Sequence, residues 1–257
     1  MSIPRIVLRF ATQTITASAR LSTVVWGSVL GFVALLLWDM TTLDLSMAAL
    51  FGNHHGFARH NDWLWSTLLH DGALPVVWAL EVALLVSIAL PFGVLRALPR
   101  ARRLQLAVTP LVASVFVSVL KLHSTTSCPW DLQQFGGVAV YVSHWTRGVA
   151  DGGGGGCFPA GHASAGFAFL GGFFAFRSTQ PALAKRLLVA VMAFGLLLGL
   201  AQQIRGAHYM SHTLWTAWLC WMCAVLVDAS VAFFACWTRR RLARRLARST
   251  RAATGWP

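Results

Sequence analysis

Residues 187–203 read LLVAVMAFGLLLGLAQQ, an apolar run with no polar side chain before Gln202. About 20 such residues cover the roughly 30 Å of hydrocarbon in a bilayer. Outward from this run, five more stretches share its character: 21–38, 75–95, 106–121, 158–176 and 211–237. The composition agrees. Of 257 residues, 56% are hydrophobic and only 11% are charged, with 12 Trp and 16 Phe, whereas a soluble domain carries about 25% charged residues. The sequence predicts an all-α integral membrane protein, a six-transmembrane-helix bundle forming a single membrane domain over 1–257. Residues 1–20 precede the core 21–237, and a basic tail, 238–257, follows it. Arg5 and Arg9 break any apolar run before Arg20, so the start lacks the layout of a signal peptide.

Charge sets the expected orientation. Lys and Arg number 21 against 8 Asp and Glu, a net +13. Six spans put both termini on one side. If that side is cytoplasmic, 17 of the 21 basic residues lie inside, and only Arg59, Lys121, Arg147 and Arg205 lie outside. This is the positive-inside bias. The Arg-rich tail directly follows a span, so anionic lipid headgroups are its expected partner, and nucleic acid is not. Five Cys in 257 residues indicate neither a zinc ribbon nor a disulfide framework. High Arg and Ala usage without eukaryotic targeting signals fits a bacterial inner membrane. Oligomeric state is not readable from the sequence.

Polar groups at the ends of spans are costly and mark function. Three clusters lie at outer, periplasmic ends. Lys121 to Asp131 leave the third span through His123, Cys128 and Pro129. Phe158-Pro159-Ala160-Gly161-His162 enters the fourth. Gln202, Arg205, His208 and His212 join the fifth and sixth. Glu81, inside the second span, reads equally as a buried polar contact or a functional group. The run Gly152 to Gly156 reads as a flexible connector.

These clusters resemble the type 2 phosphatidic acid phosphatase superfamily, which includes the vanadium haloperoxidases. Its motifs read Lys-x6-Arg-Pro, Pro-Ser-Gly-His and Ser-Arg-x5-His-x3-Asp. Lys121 and Pro129 match the first, Pro159, Gly161 and His162 the second, and His208 the third. The match covers about residues 75–235. Four positions depart: Cys128 and Gln202 stand where the motifs have Arg, Ala160 where they have Ser, and His212 where they have Asp. The chain therefore resembles a divergent branch.

The resemblance implies phosphoryl transfer from a membrane lipid phosphate or diphosphate, with His208 as nucleophile forming a phosphohistidine. His162 would protonate the leaving oxygen and later activate water, and His212 would orient His208. Lys121 would bind phosphate oxygens with the Ala160-Gly161 backbone at a helix start. Arg205, three residues past Gln202, or Arg147 in the outer loop would replace the lost arginines. Asp131 is either a source of negative charge for His208 or a cap for its own turn. No cofactor or metal is required. Cys128 and Cys157 flank motifs that must meet, and an oxidising compartment would let them pair. Three other readings remain open. The same site would serve a lipid-to-lipid phosphotransferase. The four departures would suit a non-catalytic lipid-binding or transport protein. His208-x3-His212 with His162 and Asp131 would suit a zinc site.

Overall fold

The computed structural model describes residues 5–146 and 148–254, with side chains over 22–68, 72–146 and 148–244. Its elements are predominantly helical. α1 (Arg5–Asp39) is followed by the short α2 (Leu43–Ala48) and a two-stranded hairpin, β1 (Gly52–Asn53) with β2 (Gly56–Phe57). A π-helical segment, Leu64–Asp71, leads into α3 (Ala73–Ala89), and α4 (Arg100–Leu122) begins just after Pro99. A long loop precedes α5 (Gly161–Phe167) and α6 (Gly171–Phe176), which are joined by a 3-10 turn. α7 (Pro181–Ile204) and α8 (Met210–Thr254) complete the chain.

Among the described residues, five helical stretches are long and apolar enough to cross a membrane: Ser22–Asp39, Leu64–Ala97, Arg100–Leu122, Pro181–Ile204 and Met210–Arg244. The expected fourth span is shorter than the others. Helix starts only at Gly161, after the cis Phe158–Pro159 bond, and stops at Phe176. At 1.5 Å per residue that is about 24 Å, below the roughly 30 Å of hydrocarbon. The reason is burial. Phe167, Leu170 and Phe174 sit in a core with Val117 of α4 and Ala217, Cys220 and Ala224 of α8. The segment is thus wrapped by its neighbours along most of its length. Gly166 and Gly195 allow the closest approach, since a Cβ on Gly166 would stand 2.6 Å from the Gly195 Cα. Two other boundaries differ from the sequence reading. The second span begins at Leu64, eleven residues before 75, and α8 runs unbroken into the basic tail.

The antiparallel course puts Lys121, Gly161 and Ile204 at one end of the bundle, and Arg100, Phe176 and Pro181 at the other. That other end is tied by charge. Arg102 of α4 and Arg177 after α6 both bond the carboxylate of Asp228 in α8, at 2.5 and 2.6 Å, and Gln105 adds a third contact at 3.1 Å. From Met210 to Asp228, α8 rises about 27 Å, close to the hydrocarbon thickness. Glu81 is buried in α3 with neither carboxylate oxygen hydrogen-bonded.

Candidate active site

The turn that delivers His208 is specified locally. α7 ends with Gly206 at φ +79°, where its N–H bonds the Gln203 carbonyl and the Ala207 N–H bonds the Gln202 carbonyl. This is a Schellman closure, and it needs a residue tolerant of left-handed φ. A side chain at 206 would also overlap the ring of Phe57. His208 and Tyr209 then precede α8, so His208 lies outside the helix and His212 in its first turn. Both are buried, with ring centroids 5.9 Å apart. Asp44 of α2 caps α8 by accepting from the Ser211 N–H at 2.9 Å and from the Ser211 hydroxyl. Burial pushes the hydroxyl of Tyr209 above its usual range, with the Tyr141 hydroxyl and the Asp44 carboxylate adding to the effect.

The segment entering α5 is laced onto α8. Ala160 N–H donates to Thr216 Oγ1 at 2.9 Å, and His212 Nδ1 meets the Cys157 carbonyl at 3.0 Å. Lys121 comes from the third direction: its Nζ stands 3.6 Å from where a Gly161 Cβ would lie. His162 is the second residue of α5 and half-buried. The three sequence clusters therefore meet at one end of the bundle.

The loop between α4 and α5 supports this meeting. Cys128 and Cys157 are joined in a disulfide with Cα atoms 5.2 Å apart. The Cys157 sulfur lies 3.5 Å from His208 Nδ1 and 3.1 Å from the Ala207 carbonyl oxygen. The glycine run is pinned, contrary to the flexible connector expected. Gly153 N–H donates to Asp151 Oδ1, Gly155 N–H to Ser127 Oγ and Gly156 N–H to the Ser124 carbonyl. At Gly153 a side chain is excluded by contact, since a Cβ there would stand 2.2 Å from Ser127 Oγ. Burial alone would raise the Asp151 carboxyl, but N–H donors of Gly153 and Ser127 and the Ser127 hydroxyl outweigh it and hold it below the usual range.

Residues 102–244 match the model of the PAP2 superfamily. The chain belongs to that superfamily. PAP2 members are generally phosphatases, which makes this chain a phosphoric ester hydrolase at that level of description. No curated protein and no solved structure matches the chain.

Within the PAP2 frame the four departures acquire surroundings. Gln202, where the motif has Arg, is buried; its Oε1 accepts from Arg205 Nη1 at 3.3 Å, while its Nε2 donor has no hydrogen-bond partner. Arg205 Nε donates to the His60 carbonyl at 2.9 Å, so Arg205 braces Gln202 and the loop together. Asp131 Oδ2 accepts from the Cys128 N–H at 3.0 Å and caps the Pro129–Asp131 turn. It lines a hollow with His54, His60 and Trp130. His212 engages the Cys157 carbonyl through Nδ1, so a direct orienting bond from that nitrogen to His208 is not made. Arg147 lies outside the described residues. Among the described residues, the one group of metal-type ligands that closes together is Cys128, Cys157 and His208. Its two sulfurs are bonded to each other, so the zinc set read from the sequence gains nothing from this geometry.

Sequence reasoning missed a second ring of residues around the site. Asp39, at the end of α1, accepts from the indole N–H groups of Trp145 and Trp215, both at 2.8 Å, and lies 3.4 Å from His144 Nε2. His144 stacks on Phe158, with centroids 4.2 Å apart, and presents an edge to His212 at 5.7 Å. The available signal was scarcity: Asp39 and Asp44 are two of only 8 acidic residues, both just beyond an apolar run.

Proposed function

We propose that the chain is a membrane lipid phosphatase working through a phosphohistidine at the periplasmic end of the bundle. The reading rests on one observation above all: Lys121, the Ala160–His162 segment and His208 come from three different parts of the chain and converge at the same end. A disulfide sulfur has no proton to give, so the favourable arrangement of His208 has its ring proton on Nδ1, toward Cys157, and none on Nε2. That tautomer suits nucleophilic attack. Nε2 attacks phosphorus, the P–O bond to the lipid breaks, and His162 gives its proton to the leaving oxygen. Water, deprotonated by His162, then cleaves the P–N bond and releases phosphate. Lys121 and the leading N–H groups of α5 neutralise the phosphoryl oxygens. Gln202, held by Arg205, supplies a neutral donor where the superfamily motif has a cation.

A lipid substrate is supported by the apolar flank of the bundle, where Trp78, Val115 and Val189 are among many exposed large side chains. Cytoplasmic termini are supported by the positive-inside count, and a bacterial inner membrane by the high Arg and Ala usage. The test is phosphate release from a panel of lipid phosphates by detergent-purified protein with EDTA present, comparing wild type with His208→Ala. Release that requires His208 and ignores EDTA is expected. Release that persists in His208→Ala, or that stops with EDTA, overturns the phosphohistidine reading.

A further inference from the structure

A groove runs along the flank of the bundle between α1 and α7, because α1 is held chiefly by α8 and stands off from α7. One part, about 410 Å³, is lined by Val24, Phe173 and Ala184, with Arg177, Ser178 and Lys185 at its mouth. The next part, about 430 Å³, is lined by Gly27, Gly31, Leu35, Met192, Trp218 and Trp221. The two parts adjoin on each wall. Val24 and Gly27 are one turn apart on α1, as are Lys185 and Leu188 on α7, and the rings of Phe173 and Trp221 lie 6.0 Å apart. From Val24 to Leu35 the trough is about 17 Å long, close to the ~15 Å of one leaflet's hydrocarbon.

We propose that this groove binds one anionic phospholipid, its headgroup phosphate between Arg177 and Lys185 and an acyl chain along Gly27 and Gly31. The polarity of the groove carries the assignment: it is apolar along its length and cationic at one end only. Arg177 is held in position by Asp228, at 2.6 Å, and by the face of Phe174, at 4.9 Å, and still lines the mouth. Lys185 is exposed there. Gly27 is not demanded by the protein's own packing, since a Cβ there would meet nothing within 4 Å; the absent side chain deepens the trough. The spacing Gly27-x3-Gly31 would also suit a helix of a second copy. Such a helix would cover Lys185 without an opposing charge, whereas a phosphate neutralises it. The headgroup end is at the level of Asp228, the far end of the bundle from His208, so this site is separate from the proposed reaction and does not depend on it.

The test is native mass spectrometry of the full-length protein released from detergent, titrated with phosphatidylglycerol or phosphatidylcholine. Wild type is expected to retain one phosphatidylglycerol in preference to phosphatidylcholine. Lys185→Ala should weaken that retention about fivefold, the worth of one cation near a headgroup. Gly27→Leu should remove it by filling the trough from an open Cβ position. The basic tail is intact in both variants, so its own lipid contacts cancel in the comparison. Equal retention of both lipids, or wild-type retention by both variants, overturns the proposal. So does an oligomer in wild type that Gly27→Leu dissociates, which would give the groove to a second copy.

Discussion

His208 Nδ1 lies 3.5 Å from the sulfur of Cys157, and that sulfur is bonded to Cys128 29 residues earlier. The candidate nucleophile is therefore backed by a covalent strap between the first two motifs. The strap also carries the Cys157 carbonyl that holds His212. One link fixes two histidines.

Opening that link is expected to cost both stability and activity. Closing a loop of 29 residues removes about 3–4 kcal/mol of chain entropy from the unfolded state. Cys128→Ser, or dithiothreitol on wild type, should lower Tm and reduce phosphate release at least tenfold with helical circular dichroism retained. Unchanged release under reductant, with both thiols shown alkylated by mass, would separate His208 from the strap.

Lys121 should act through charge. Its Nζ sits beside Gly161 at the head of α5, and a charge-assisted contact to a phosphate is worth about 1.5–3 kcal/mol. Lys121→Ala is expected to lower kcat/KM about 10–100-fold with little change in Tm, and Lys121→Arg to recover part of it. A Lys121→Ala enzyme with wild-type kcat/KM would remove the residue from the site.

The helical class and the three clusters were legible because both are local: apolar runs of span length, and polar residues at their ends. The short fourth helix was not. Its burial depends on α3, α4, α7 and α8, and hydropathy alone cannot distinguish a segment facing lipid from one facing protein. The glycine run was misread for a related reason. Composition signals freedom, but Gly153 is glycine because Ser127 occupies the space of a side chain. Asp39 and His144 were invisible because they lie 105 positions apart in sequence and meet only through the loop fold.

Asp151 should make the loop between α4 and α5 acid-labile. Its folded carboxyl titrates below the usual range because Ser127 and Gly153 donate to it. A depressed folded pKa contributes stability above the unfolded value, near pH 4, and that stability is lost as pH falls through the folded value. Wild-type Tm should drop below about pH 4, while Asp151→Asn should start lower at neutral pH and lose less on acidification. Parallel Tm–pH curves for the two proteins would contradict this.

Glu81 offers the opposite sign. Both of its oxygens are buried without hydrogen bonds, and such a group costs about 1–3 kcal/mol. Glu81→Leu is expected to raise Tm in detergent by several degrees while leaving phosphate release unchanged, since α3 contributes no residue to the site. A fall in release without a fall in Tm would instead assign Glu81 a functional part.

Asp228 should be the most damaging single position away from the site. It is one carboxylate shared by Arg102 and Arg177, with side-chain exposures of 9, 25 and 29% respectively. Removing one partner of a buried pair costs about 3–5 kcal/mol, and the partial exposure of both arginines screens this to about 2 kcal/mol. For a protein of this size that corresponds to roughly 4–8 °C in Tm. Asp228→Ala leaves two guanidinium groups facing each other across α4, α6 and α8 without an anion. The triple variant Asp228→Leu, Arg102→Leu, Arg177→Leu removes the repulsion along with the attraction and should regain much of the loss. If Asp228→Ala melts with wild type, water already screens the cluster and apolar packing alone holds that end together.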